Sequence, residues 1–173
     1  MYVQFHVTEW QLSFYIILLI LLCQVIECHF LKSYYDSMVD WKIRVDYLRC
    51  NPSFYGRPRF DCVIVYRGDG YYFARLLYLF TYNFRGTTFP IALIQPYADV
   101  HPPRKKDREL RLHRLRPTAS GKKRGNSSIF ISARSIRRGA FLVPALDNPN
   151  DLIVVDVIDT DMFLRIKSIY PVE

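Results

Sequence analysis

Tyr35, Met38, Trp41, Val45 and Leu48 recur at three- and four-residue spacing, which is the repeat of one helix face. Ser33 or Asp36 can cap the start and Asn51-Pro52 stops it, so the pattern predicts a short amphipathic helix over 35–48. The period then changes. Residues 54–59 are turn-rich, and 60–67 read as a strand around the β-branched Val63-Ile64-Val65. Gly68-Asp69-Gly70 forms a turn into a long strand over 71–84. A third strand follows over 88–95, with Pro90 at its start or on an edge. Three strands joined by short turns predict an antiparallel meander. Residues 101–125 break the apolar pattern and predict a mobile loop. Beyond it, 129–132, 140–143 and 152–157 read as short strands, and Asp159-Thr160-Asp161 caps a helix over 162–169. The fold class expected is mainly β (α+β), with five or six strands in a closed or half-open barrel.

The N-terminal stretch 10–26, opening at Trp10 and closing at Ile26, carries no charged side chain between Glu9 and Glu27. A bilayer-spanning helix needs about 20 apolar residues, with about 17 as the lower limit. The stretch is therefore the shortest membrane span, an apolar helix packed on the rest of the chain, or a non-native extension. A signal peptide fits poorly, because no Lys or Arg precedes the run and no small-x-small cleavage site follows it. If the stretch spans, the basic excess on its C-terminal side leaves the main domain in the cytosol. The organisation expected is an apolar N-terminal helix over 1–32 and a β-barrel module over 33–173, with a basic loop at 101–125.

Charge sharpens this picture. The 173 residues hold 24 Lys and Arg against 16 Asp and Glu, a net charge of +8. Ten of the basic residues fall within 104–124: Arg104, Lys105, Lys106, Arg108, Arg111, Arg114, Arg116, Lys122, Lys123 and Arg124. Only Asp107 and Glu109 oppose them there, so this segment carries the whole excess and the remaining chain is neutral. Such a segment attracts polyanions by releasing condensed counterions, without reading sequence. The partner expected is nucleic acid or chromatin, with Arg57, Arg59, Arg134, Arg137 and Arg138 extending the surface. An inert solvated loop, a nuclear-import signal and anionic lipid are the alternatives. The location expected is nuclear or cytoplasmic, or the membrane if 10–26 spans.

No nucleophile elbow, phosphate-cradling Gly-rich loop or His-Glu-x-x-His is present. The chain reads as a non-enzymatic recognition module with no cofactor and no metal site, the alternative being a small single-span membrane protein with a cytosolic β domain. Cys23, Cys28, Cys50 and Cys62 contain no Cys-x-x-Cys pair and read as buried, reduced thiols. Asp156, Asp159 and Asp161 read as a strand end plus a helix cap; the competing reading is a divalent-cation site. Tyr72, Tyr78, Phe80 and Tyr82 share the even positions of the long strand, where with Tyr66 they form core or an aromatic cage for a methylated lysine.

Two resemblances add to these readings. The segments 47–61 (YLRCNPSFYGRPRFD), 73–77 (FARLL), 91–97 (IALIQPY) and 154–163 (VVDVIDTDMF) resemble uncharacterised proteins of mushroom-forming fungi, basidiomycetes. They are similar to the C-terminal regions of transposon-associated, Plavaka-type proteins. Separately, Tyr72 to Phe80 followed by an Ala-Leu-Ile-Gln strand is similar to the opening of bromo-adjacent homology (BAH) domains. That likeness implies a small BAH-like or SH3-like β-barrel used for chromatin or protein recognition, to which the N-terminal helices and the short C-terminal helix read from the residues are added. It brings no catalytic residues with it. Together the resemblances imply an accessory module or fragment of transposon origin.

Overall fold

The computed structural model describes residues 24–68, 70–120 and 125–171. The fold is mainly β, as expected. The strands are β1 (Gln24–Cys28), β2 (Phe30–Asp36), β3 (Ile43–Phe54), β4 (Arg57–Phe60), β5 (Cys62–Tyr66), β6 (Tyr71–Phe84), β7 (Thr87–Asp99) and β8 (Arg114–Pro117). They continue as β9 (Ala119–Ser120), β10 (Gly125–Asn126), β11 (Ile129–Ser132), β12 (Ile136–Ala140), β13 (Leu142–Ala145) and β14 (Asn148–Val154). Among the described residues two α-helices join them: α1 (Lys105–Glu109) before β8 and α2 (Thr160–Ile169) after β14.

The meander over β5, β6 and β7 is the spine of a nine-stranded antiparallel sheet, ordered β12-β5-β6-β7-β8-β14-β13. Because β6 and β7 are long, each serves two neighbours on one edge. The first half of β6 pairs with β5 and its second half with β1, while β7 pairs with β11 along its middle and with β8 near its end. The terminal strands β12 and β13 do not pair with each other, so the sheet is open rather than a closed barrel.

Both faces of the spine are buried, which explains why Val63-Ile64-Val65 is apolar without alternation. Val63, Val65, Ala74, Leu76 and Ile94 enter one core with Leu48, Cys50 and Ile136. Ile64, Phe73 and Tyr97 enter a second core, closed by Met162 and Ile166 of α2. Asp159 starts that helix as expected, its carboxylate accepting from the Met162 backbone N–H at 2.7 Å.

The stretch 35–48 is not a helix. It supplies the end of β2, a turn and the start of β3, paired from Phe30 opposite Arg49 to Asp36 opposite Ile43. Burial follows a period of two, with Ser33 and Leu48 inside and Tyr34, Val45 and Tyr47 exposed. Trp41 sits in the turn at φ +58°, and its N–H donates to the Ser37 carbonyl at 2.9 Å. A partner distant in sequence favours the strand: Ser33 Oγ donates to the carbonyls of Ile136 and Arg137 at 3.2 and 2.7 Å.

Strand pairing also carries the folded part back to Gln24, so the boundary expected between 32 and 33 runs through β2. Residues 24–32 lie almost entirely in strands rather than in an apolar helix. Gln24, Val25 and Ile26 of the charge-free stretch belong to β1; the rest of the stretch expected to span or to pack as an apolar helix, 10–23, lies outside the described residues. Among the described residues no helix is long and apolar enough to cross a membrane.

A β-bulge between Leu76 and Tyr78 switches the parity of β6, so Leu76 and Leu79 are both buried. Tyr72 packs on the first core, whereas Tyr78, Phe80 and Tyr82 lie on the opposite face. The shared even face expected for these four rings does not form. Tyr78 instead neighbours Phe80 at 5.9 Å between ring centroids, and Tyr66 neighbours Tyr71 at 5.1 Å.

Candidate nucleic-acid interface and the groove beside it

Residues 101–120 of the basic segment form a short helix and a sheet strand where a mobile loop was expected. Arg104 precedes α1, a turn follows with Arg111 at φ +53°, and β8 then docks between β7 and β14. Three arginines fix this arrangement. Arg114 is buried and donates from Nε and Nη2 to both carboxylate oxygens of buried Asp107, at 2.6 and 2.9 Å. Its Nη1 donates to Asp147 at 2.9 Å. Arg116 makes the same two-pronged contact with fully buried Asp151, at 2.6 and 2.9 Å, and Arg104 pairs with Asp147. Two-pronged guanidinium–carboxylate bonds are among the strongest a protein makes.

Three cations therefore face three carboxylates, and the cluster is electrically neutral. Hydrogen bonds from Arg114 hold the Asp107 and Asp147 carboxyls below the usual carboxylate range, and Arg116 does the same for Asp151. The reciprocal bonds raise Arg114 and Arg116 above their ordinary values. The acids come from three places: Asp107 from the basic segment itself, Asp147 from the turn after β13, and Asp151 from β14. Asp147 and Asp151 were absent from the sequence reading. No local signal marks them, since each lies more than thirty residues from the arginine it meets.

Among the described residues of the segment, the charge left over is carried by Lys105, Lys106, Arg108 and Arg111, all exposed. Lys105 approaches Glu109 at 3.9 Å with both side chains mostly in water, a contact worth little. Lys106, Arg108 and Arg111 meet no carboxylate among the described residues. Lys122, Lys123 and Arg124 lie outside the described residues.

The arginines expected to extend the basic surface lie in different settings. Arg57, Arg134 and Arg137 are exposed, and Arg59 pairs with Asp61 at 3.0 Å while lying over the Phe54 ring. Arg138 is buried and belongs to no surface. It pairs with Asp159 at 2.9 Å and with Asp161, and sits over the Tyr35 ring. Asp161 also accepts from the Met38 backbone N–H at 2.6 Å and pairs with Arg165. The carboxylates of Asp159 and Asp161 are thus committed to the helix start and to arginine. Among the described residues no group of three or more His, Cys, Asp or Glu is placed to hold a metal ion.

Cys28, Cys50 and Cys62 are free thiols, with Cys50 buried and the other two partly buried. Burial pushes the Cys50 thiol up to about 12. Cys23 lies outside the described residues.

Beside the free cations runs a groove of about 710 Å³ between the α1 turn, the strip from Ile153 to Val157, and α2. Leu110, Leu112, Val155, Val157 and Phe163 supply apolar wall, and Arg108, Arg111 and Lys167 contribute cations. At one end the His113 ring stacks on Tyr170, with centroids 4.1 Å apart, and the Tyr170 hydroxyl donates to Asp99 at 2.6 Å. Burial lowers the His113 pKa, so its ring is neutral near pH 7.

The chain matches no family model, no curated protein and no solved structure.

Proposed function

We propose that this chain is a non-enzymatic recognition module that holds nucleic acid or chromatin through the basic face around α1. The observation that carries this reading is the division of charge in the segment. Arg104, Arg114 and Arg116 are spent on Asp107, Asp147 and Asp151, and the scaffold they build presents Lys105, Lys106, Arg108 and Arg111 to solvent. Four cations fixed around one helical turn and its exit can meet phosphates along a backbone without reading bases. The transposon-associated and BAH-like resemblances point the same way, toward an accessory module working beside DNA.

The test replaces Lys105, Lys106, Arg108 and Arg111 together by Gln in the full-length chain and measures binding to a duplex of arbitrary sequence at low salt. The quadruple variant is expected to lose most affinity while keeping the wild-type melting temperature. Full affinity in the variant would sink the proposal.

A further inference from the structure

The groove beside the basic face has features that phosphate contact does not use. Its walls expose large apolar side chains: Leu110 is 57% exposed, Val157 79% and Phe163 37%. Its volume of about 710 Å³ lies inside the range of roughly 300–1,000 Å³ typical of small-ligand sites. A surface cleft of this size with apolar walls and a few charged groups at its rim has the form of a small-ligand site.

The charges at the groove select the ligand. Arg108, Arg111 and Lys167 line it, and none of the three meets a carboxylate among the described residues. Lys167 lies over the Phe163 ring at 4.4 Å, which holds a cation against the apolar wall. Two acids also line the groove, but Asp107 is engaged by Arg114, which leaves Asp156 as the opposing charge. His113 is neutral near pH 7, for the reason given above. The balance at the groove is positive.

We infer that this groove binds a monomeric long-chain carboxylate, its chain along Leu112, Val155, Val157 and Phe163 and its head group between Arg108, Arg111 and Lys167. An arginine fork matches a planar carboxylate two oxygens at a time. Apolar wall and cation are both required, so neither an alcohol of the same chain length nor a short carboxylate fits as well. Arg108 and Arg111 also belong to the basic face, whereas Lys167 and Phe163 do not. The two assignments are therefore separable by mutation.

The experiment titrates full-length protein with dodecanoate below its micelle concentration by isothermal titration calorimetry. Parallel arms use dodecanol, butanoate and vesicles containing anionic lipid. Saturable one-to-one binding of dodecanoate is expected, weakened about tenfold or more by Arg108→Gln with Arg111→Gln, the scale of a charge-assisted bond. Lys167→Gln and Phe163→Ala are expected to weaken dodecanoate without changing duplex affinity, and Lys105→Gln with Lys106→Gln to do the reverse. Equal affinity for dodecanol, binding that all these variants leave unchanged, binding to vesicles alone, or no binding would each overturn the assignment.

Discussion

Replacing Arg114 by Gln separates its structural role from a phosphate-binding one. The substitution removes two bonds to Asp107, at 2.6 and 2.9 Å, and one to Asp147 at 2.9 Å. It leaves the Asp107 carboxylate, 3% exposed, without its main cation. Stranding one partner of a buried pair typically costs about 3–5 kcal/mol. The lower end, about 3 kcal/mol, is expected here, because α1 is short and can open to water once β8 releases it. For a domain of this size that corresponds to a melting temperature roughly 6–12 °C lower. Arg108→Gln, at an exposed unpaired position, should change stability by less than about 0.5 kcal/mol.

The pH dependence of that prediction has a definite sign. The Asp107 carboxyl is lowered in the folded chain, first by the Arg114 hydrogen bond. The bridge therefore contributes in full above the unfolded carboxyl value, about 3.9, and is lost as pH falls through the folded value. Chemical denaturation of both variants at neutral pH, repeated in acid, checks this. If Arg114→Gln were as stable as wild type at neutral pH, the assignment of Arg114 to the scaffold would be refuted.

Other outcomes follow from the same structure. Asp159→Ala removes the cap on Met162 N–H and a partner of buried Arg138, so it should cost at least about 1 kcal/mol in denaturant unfolding. His113, lowered by burial, adds stability above its unfolded value of about 6.5 that is lost as pH falls; His113→Phe should flatten the melting temperature between about pH 7 and 5. Cys50, buried with its thiol pushed up to about 12, should react with a thiol reagent far more slowly than Cys28, and equal rates would contradict its burial.

What was legible in the sequence was what local chemistry decides. The β5-β6-β7 meander could be read because β-branched and aromatic runs are punctuated by Gly68-Asp69-Gly70 and Arg85-Gly86. Helix α2 could be read because Asp159 caps it and Met162 and Ile166 recur on one face. The hairpin of β2 and β3 was missed because its apolar residues mimic a helical repeat, while its decisive contacts reach β12 about a hundred residues away. The bulge in β6 leaves no mark in composition, yet it moves every later aromatic ring to the other face. The basic segment was visible as a charge excess. Its division into scaffold and free cations depends on Asp147 and Asp151, which only the sheet brings to Arg114 and Arg116.

The salt dependence of duplex DNA binding tests the central claim most directly. For duplex DNA the logarithm of affinity falls with the logarithm of salt at about 0.9 per neutralised phosphate. Removing Lys105, Lys106, Arg108 and Arg111 should make the slope of the full-length chain shallower by about 3.6, four phosphates' worth. A variant with the wild-type slope, or a wild-type chain that binds no DNA even at low salt, would contradict the account.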